Sequence, residues 1–398
     1  MFNKTVSSIV CACVMQFCCA SVFANDKVLF SGITFEQNDS ILVVDSSGQE
    51  RFNWQAEKLL VPASLSKLAT AYAAIEKWGL DHRFSTDFYR LGNTLWVKGF
   101  GDPYLVSEEL DLLVKAMPLT LTAGITAISV DNGYFDIQNV PGRSKVSDPY
   151  NAPLSAVSAN FNTANIGRVN GQLKSLEAQT PLTPTARKIA HTLVKKRERV
   201  NLINADNAQR NFAELLAIKL GKPLIKVNIN QSLNGCFALG YRHVNSRTLA
   251  DVLRGTLEFS NNFMANQVFL KLGDNTADHM TFEHSAELME QRLSREFNWQ
   301  GHTLVDGAGL SRSNKLSATQ IDQLLSALAP HKTLLKSIKN KGDAVVYAKT
   351  GTLNNVRSYA GYIDLDGAQT RFVFNFNRKV PYRYRDQILE RLLRDLSQ

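Results

Sequence analysis

Cysteine is almost absent from most of the chain. Of five cysteines, Cys11, Cys13, Cys18 and Cys19 fall within the first 24 residues, leaving Cys236 alone and excluding an internal disulfide beyond them. Acidic residues are short too: 36 Asp and Glu face 45 Lys and Arg, a net charge of +9, or +8 without Lys4. That balance favours a polyanion or an anionic surface as partner. Metal-ligand spacing is lacking as well. His279 and His284, with Asp278 and Glu283 beside them, are five residues apart, which does not place both imidazoles on one helix face, so surface positions are expected and no metal site. Gly99 and Gly101 have no βαβ context and no further glycine, which excludes a phosphate cradle in favour of a turn. No internal repeat occurs up to about residue 240.

With 44% hydrophobic residues over 398 positions, the composition is that of a globular chain with a sizeable core, long enough for two domains or one large domain with an insertion. Lys4, the apolar run "SSIVCACVMQF" and the small-residue end "SVFA" have the layout of a secretory signal peptide, with cleavage after Ala24 and export to the periplasm. A lipid anchor at Cys18 or Cys19 lacks the small residues that should precede it.

The coarse pattern mixes strands and helices. "ILVVDSS" and "ERFNW" around Gly48 read as a hairpin, residues 64–79 as a helix with the stripe Leu65, Leu68, Ala69, Tyr72 and Ile75, and 84–100 as two strands around a Gly-Asn turn followed by the helix "SEELDLLVKAM". "TPTARKIAHTLVKKRERV" (183–200) is expected to be one helix with Thr183 as N-cap. Ala186, Ile189, Ala190, Leu193 and Val194 form its stripe, with Arg187, Lys188, Lys195, Lys196, Arg197 and Arg199 largely off it. A solvated face is the plain reading of those charges; lipid headgroups or cell-wall polymer are the alternative, and nucleic acid is excluded for an exported segment without interleaved aromatics. Three strand-like segments near the end precede a helix whose Ile388, Leu389, Leu392, Leu393 and Leu396 are expected to pack on the sheet. A peripheral membrane contact is the disfavoured alternative. Cys236 is expected to be a small buried hydrophobe.

The chemistry concentrates in three places. Ser64 opens the helix, and Lys67, one turn on, lies on the same face, so hydroxyl and amine can touch. A lysine desolvated near another cation falls below its ordinary pKa of ~10.4 and can take the serine's proton. "SNN" (Ser260, Asn261, Asn262) sits at a polar break between two apolar-periodic helices, and "KTG" (Lys349, Thr350, Gly351) follows the strand-like "AVVYA". There Lys349 and Thr350 are placed to line a sheet edge, while Gly351 lets a substrate backbone approach.

Ser-x-x-Lys, Ser-x-Asn and Lys-Thr-Gly in that order resemble the signature of penicillin-binding proteins and serine β-lactamases. With 196 positions between Ser64 and Ser260, and with "GFGDPYL" and "DGAGLSRSNKLSA", the chain is more similar to the D-alanyl-D-alanine carboxypeptidase/endopeptidase family, whose penicillin-recognising domain is interrupted between the first two motifs. The resemblance implies an α/β penicillin-binding-protein/β-lactamase-like fold, an antiparallel sheet flanked by helices, built from 25–88 and 242–398 with an inserted region at 89–241. It implies acyl-enzyme hydrolysis of D-Ala-D-Ala ends, and of D-Ala cross-links, in peptidoglycan stem peptides, with β-lactams as covalent inhibitors and no cofactor. Carried over by motif, Ser64 is the nucleophile, Lys67 its base and Ser260 a proton relay. Asn262 holds the substrate amide, Lys349 and Thr350 its carboxylate, and the backbone N–H groups of Ser64 and Thr352 form the oxyanion hole. Asp306 and Arg312 are expected to order a loop beside the cleft. A β-lactamase using the same motifs and a non-catalytic wall-binding protein are the rivals; the long insertion disfavours the first and the intact motifs the second.

Overall fold

The structure, a computed structural model, describes residues 29–144, 146–193, 196–274, 279–339 and 343–398; the expected signal peptide and Asp278 lie outside them. The chain runs through β1 (Asp39–Val44), β2 (Glu50–Trp54), α1 (Ser66–Trp78), β3 (Arg83–Leu91), β4 (Thr94–Gly99), α2 (Ser107–Ala116), α3 (Leu119–Thr122) and β5 (Ala127–Asp131). Next come β6 (Thr163–Val169), β7 (Gln172–Ser175), α4 (Pro184–Leu193), β8 (Arg197–Asn201), α5 (Ala205–Lys219), β9 (Lys226–Gln231) and β10 (Tyr241–Thr248). The last part comprises α6 (Leu249–Glu258), α7 (Asn262–Leu272), α8 (Phe282–Phe297), α9 (Ala318–Leu328), β11 (Lys336–Lys339), β12 (Val345–Leu353), β13 (Val356–Leu365), β14 (Ala368–Phe376) and α10 (Tyr384–Ser397).

The main sheet has the order β11-β12-β13-β14-β1-β2, every neighbouring pair antiparallel. Successive side chains of a strand point to opposite faces, so β1 serves two cores. Ile41 and Val43 pack with Ile388, Leu389 and Leu392 of α10, whereas Leu42 and Val44 join the larger core made with α1, α6, α7, α8 and α9. The apolar stripe of α10 is therefore buried on the sheet. At ~1.5–3 kcal/mol for each large apolar side chain taken out of water, that packing outweighs lying on a membrane surface.

The inserted region builds two further sheets. One has the order β10-β3-β4-β5-β9, with β4–β5 and β5–β9 parallel, and shares a core with α2 and α5. The other, β7-β6-β8, is antiparallel and packs on α4 around Ile166, Leu173, Ala190 and Val200. Because β3 pairs with β10, the chain enters and leaves this region on adjacent strands. The expected boundaries at 88/89 and 241/242 cut through those strands, and the inserted sheet takes in all of Arg83–Leu91 and Tyr241–Thr248.

Two expectations are corrected. The helix expected over 183–200 ends as α4 at Leu193, and Arg197–Asn201 is instead a strand paired with β6. Pairing decides it: Arg197, Arg199, Val200 and Asn201 stand in register with Gly167, Asn165, Ala164 and Thr163 of β6, and the strand turns inward only at its end, where Val200 and Asn201 are buried. Cys236 is exposed, on the loop between β9 and β10, where no packed element covers it.

Candidate active site

Ser64 lies in a one-turn 3-10 segment, Ala63–Leu65, that leads into α1. Ala63 has φ +50°, and Gly309 lies so close that a Cβ there would stand 1.8 Å from the Ala63 carbonyl oxygen. The loop carrying Gly309 is organised by Asp306. Its buried carboxylate accepts hydrogen bonds from the backbone N–H groups of Ala308, Gly309, Leu310 and Ser311, at 2.7–3.0 Å, and from Asn314 Nδ2 at 2.8 Å. Arg312 Nη2 donates to the Asn354 carbonyl, tying the same loop to the β12–β13 turn.

Lys67 is fully buried at the start of α1. Its Nζ lies 3.1 Å from Ser64 Oγ, 2.7 Å from Asn262 Oδ1 and 2.6 Å from the Ala308 carbonyl oxygen. Burial pushes its pKa well below the ordinary lysine value, the positive charge of Lys349 adds to this, and Asp306 opposes it. The count of partners has a chemical consequence. A neutral amine has two N–H bonds, which Asn262 and Ala308 can accept, and one lone pair, which then faces the Ser64 hydroxyl.

Ser260 has φ +56°, and Asn261 follows it as the N-cap of α7, its Oδ1 accepting from Met264 N at 3.1 Å. Such a cap contributes ~1 kcal/mol and fixes where the helix starts, so the polar break is a helix junction that aims Ser260 and Asn262 at Lys67 and Lys349. Asn262 Nδ2 also donates to the Tyr150 carbonyl at 3.1 Å.

Lys349, almost fully buried on β12, donates to Ser260 Oγ and to the Thr350 carbonyl, each at 2.8 Å. Burial first, and the Arg385 charge second, bring its pKa down to about 7. Strand β11 pairs with β12 only as far as Ala348, so among the described residues no strand covers the β11-side edge from Lys349 to Leu353. An extended peptide can add there by main-chain hydrogen bonds. Gly351 packs against the serine turn. A Cβ on it would stand 2.1 Å from Ser358 Oγ, 2.9 Å from the Pro62 carbonyl and 3.0 Å from Ser64 N, so its bareness admits the serine turn. Thr352 Oγ1 accepts from Arg385 Nη1 at 3.0 Å.

Sequence reasoning missed Arg385. It sits on α10, 6% exposed, donates to the Gly351 carbonyl at 2.9 Å, and stacks over Tyr359 and Tyr382. Nothing in an amphipathic terminal helix marks one arginine among several as buried. The Ala308 carbonyl was equally unreadable, being main chain. His279 is exposed and His284, on α8, is half-buried.

Beside Ser260 and Asn262 opens a cleft of about 870 Å³, walled by Tyr104, Phe161 and Arg247 and, from the small β7-β6-β8 module, by Thr163, Glu177 and Arg199. Ser260 and Asn262, which hydrogen-bond to Lys349 and Lys67, thus stand at the end of a groove shared by the main and inserted regions.

Known proteins resemble this chain in sequence and in fold. The family described as "D-Ala-D-Ala carboxypeptidase 3 (S13)" matches residues 34–209 and 207–342. The D-alanyl-D-alanine carboxypeptidase of Actinomadura sp. is 24% identical over 402 residues, covering 81% of this chain and 74% of its own. Carboxypeptidase Rv3627c of Mycobacterium tuberculosis is 24% identical over 378 residues, covering 84% and 75%. Among solved structures, penicillin binding protein 4 (dacB) of Haemophilus influenzae superposes with a TM-score of 0.69 at 20% identity, over 90% of this chain and 95% of the other. The predatory peptidoglycan endopeptidase Bd3459 of Bdellovibrio bacteriovorus does so with 0.53 at 14%, over 92% and 93%.

Proposed function

We propose that this chain, which belongs to the D-Ala-D-Ala carboxypeptidase 3 (S13) family and is a serine D-Ala-D-Ala carboxypeptidase, carries out its reaction with Ser64, Lys67, Ser260 and Lys349, and that it acts on D-Ala cross-links as an endopeptidase as well. The observation that bears most weight is the buried Lys67 amine, whose two other acceptors leave its lone pair for Ser64 Oγ.

In the acylation step Ser64 Oγ attacks the carbonyl carbon of the penultimate D-Ala and its proton passes to Lys67 Nζ. Backbone N–H groups of Ser64 and Thr352 receive the developing oxyanion. Asn262 holds the substrate amide beside the amine that positions it. Lys349 donates to Ser260 Oγ, which leaves the proton of that hydroxyl to be delivered to the departing nitrogen, while the proton taken up by Lys67 is passed on to Ser260, so that the amine is neutral again before deacylation. The C–N bond breaks, the terminal D-Ala leaves as a neutral amine, and the acyl group remains as an ester on Ser64. Water then attacks the ester, giving up a proton to the same base, and the serine is regenerated. Lys349 as ammonium, with the Thr350 hydroxyl, holds the terminal carboxylate, as a point charge suits. In a cross-link, the leaving nitrogen belongs to a second stem peptide, and the groove beside Ser260 and Asn262 offers it room. The signal-peptide layout supports action outside the cytoplasm, in the periplasm.

Lys67→Met tests the assignment, because it keeps the stem and removes the base. D-Ala release from a soluble D-Ala-D-Ala peptide should fall by ~10²–10⁴, the usual contribution of a general base. A loss under about threefold would assign the proton to another group.

A further inference from the structure

The net charge is unevenly placed. Residues 163–201 carry eight Lys and Arg against two Glu, so this tenth of the chain holds most of its +9. The structure makes that stretch a module with its own apolar core, which turns the charges outward. Arg187 and Lys188 on α4, Lys196 just before β8, Arg197 at its start, and Lys174 on β7 are all exposed. None of these five forms an ion pair with a carboxylate of the described residues; Arg199, paired with Glu177, lines the groove. The basic surface is therefore continuous with a groove that ends at Ser260 and Asn262.

We propose that the β7-β6-β8 module is a docking surface for the cross-linked peptidoglycan polymer, which it grips through the carboxylates of stem peptides other than the one being cleaved. This rests on the peptidoglycan reading above. Charge complementarity and continuity with the groove favour the polymer over a lipid surface: a strand held on the module has its next stem at the groove mouth. Each contact is exposed and weak, so the grip depends on many of them and on ionic strength.

Purified protein should pellet with isolated sacculi at low salt and be released as NaCl rises from about 0.05 to about 0.5 M. The double variant Lys188→Glu/Arg197→Glu, altered only at exposed positions, should pellet poorly. Its kcat/KM on sacculi should fall by about fivefold or more, with turnover of a soluble D-Ala-D-Ala pentapeptide and thermal midpoint unchanged. Equal pelleting and equal sacculus turnover by variant and wild type would overturn the proposal. So would binding of the wild type to phosphatidylglycerol/phosphatidylethanolamine vesicles and not to sacculi, which would make the surface a membrane contact. Failure of the wild type to release D-Ala from the soluble peptide counts against the peptidase reading alone, since pelleting judges the docking surface separately.

Discussion

Two lysines with opposite tasks lie close enough for the charge of one to lower the proton affinity of the other. Lys67 must be neutral to accept a proton, and burial, its largest influence, favours that, with the Lys349 charge adding to it. Lys349 must be charged to hold a carboxylate, yet burial and Arg385 bring it down to about 7. The sign of the pH dependence follows. As pH rises through about 7, free enzyme loses the Lys349 ammonium, so kcat/KM on free-acid peptides should fall on that limb. A bound carboxylate favours the ammonium, so the corresponding limb in kcat should lie at higher pH. With C-terminally amidated peptides, which offer no carboxylate, the limb near 7 should vanish from kcat/KM. An identical limb with both peptides would assign it to another group, and the carboxylate role would be lost.

At the scale of elements, the site is a meeting of four backbone segments, and two of its supports make separate predictions. Gly309→Ala puts a methyl group against the Ala63 carbonyl at a position with φ +78° and pushes the Ser64 turn. Gly367→Ala, at φ +80° with open space around it, imposes only the left-handed strain of ~1–2 kcal/mol. Gly309→Ala should therefore slow acylation by about 10²-fold or more, against little change for Gly367→Ala. Similar acylation rates, measured with a fluorescent penicillin, would show that the turn tolerates displacement. Arg385→Met removes a cation beside Lys349 and a donor to Gly351 and Thr352. Two effects should appear together: a drop in kcat/KM of about tenfold, in line with the loss of charged hydrogen bonds, and an upward move of the falling limb. A drop without the move would make Arg385 a mechanical prop alone.

These supports also mark where the sequence stops being legible. The hairpin, α1, the break before α7, the last three strands and α10 were all readable because each announces itself by local periodicity or a turn residue. Ser64 with Lys67 was readable for the same reason, one helical turn being a local distance. What brings Ala308 and Gly309 to that turn is the folding of Asp306's loop, a contact over 241 positions that no local pattern encodes. The segment 183–200 failed because an amphipathic helix followed by a short, charge-rich strand without alternation reads like one longer helix, and only pairing with β6 separates them. The pairing of β3 with β10, within which the expected insertion boundaries fall, was illegible for a similar reason, since it spans a separation that composition does not reveal.

For the whole molecule, that pairing explains how a region of two extra sheets fits within a peptidase fold. Entry and exit are neighbours, so the main sheet closes through β1 and β14 as if the chain were continuous. The same architecture bears on deacylation, where carboxypeptidase and β-lactamase part. Among the described residues, no carboxylate hydrogen-bonds to Ser64, Lys67, Ser260 or Lys349, so no acid group stands ready to activate water against a penicilloyl ester. Released D-Ala can diffuse away, whereas the tethered leaving group of a β-lactam stays in the site and obstructs water. The most direct measurement is the intact mass of the protein after brief exposure to benzylpenicillin. The account predicts one penicilloyl increment per molecule, persisting for minutes or longer, mapped to Ser64 and absent from Ser64→Ala. An increment of the same size on Ser64→Ala, or rapid turnover of the penicillin with no adduct on the wild type, would contradict it.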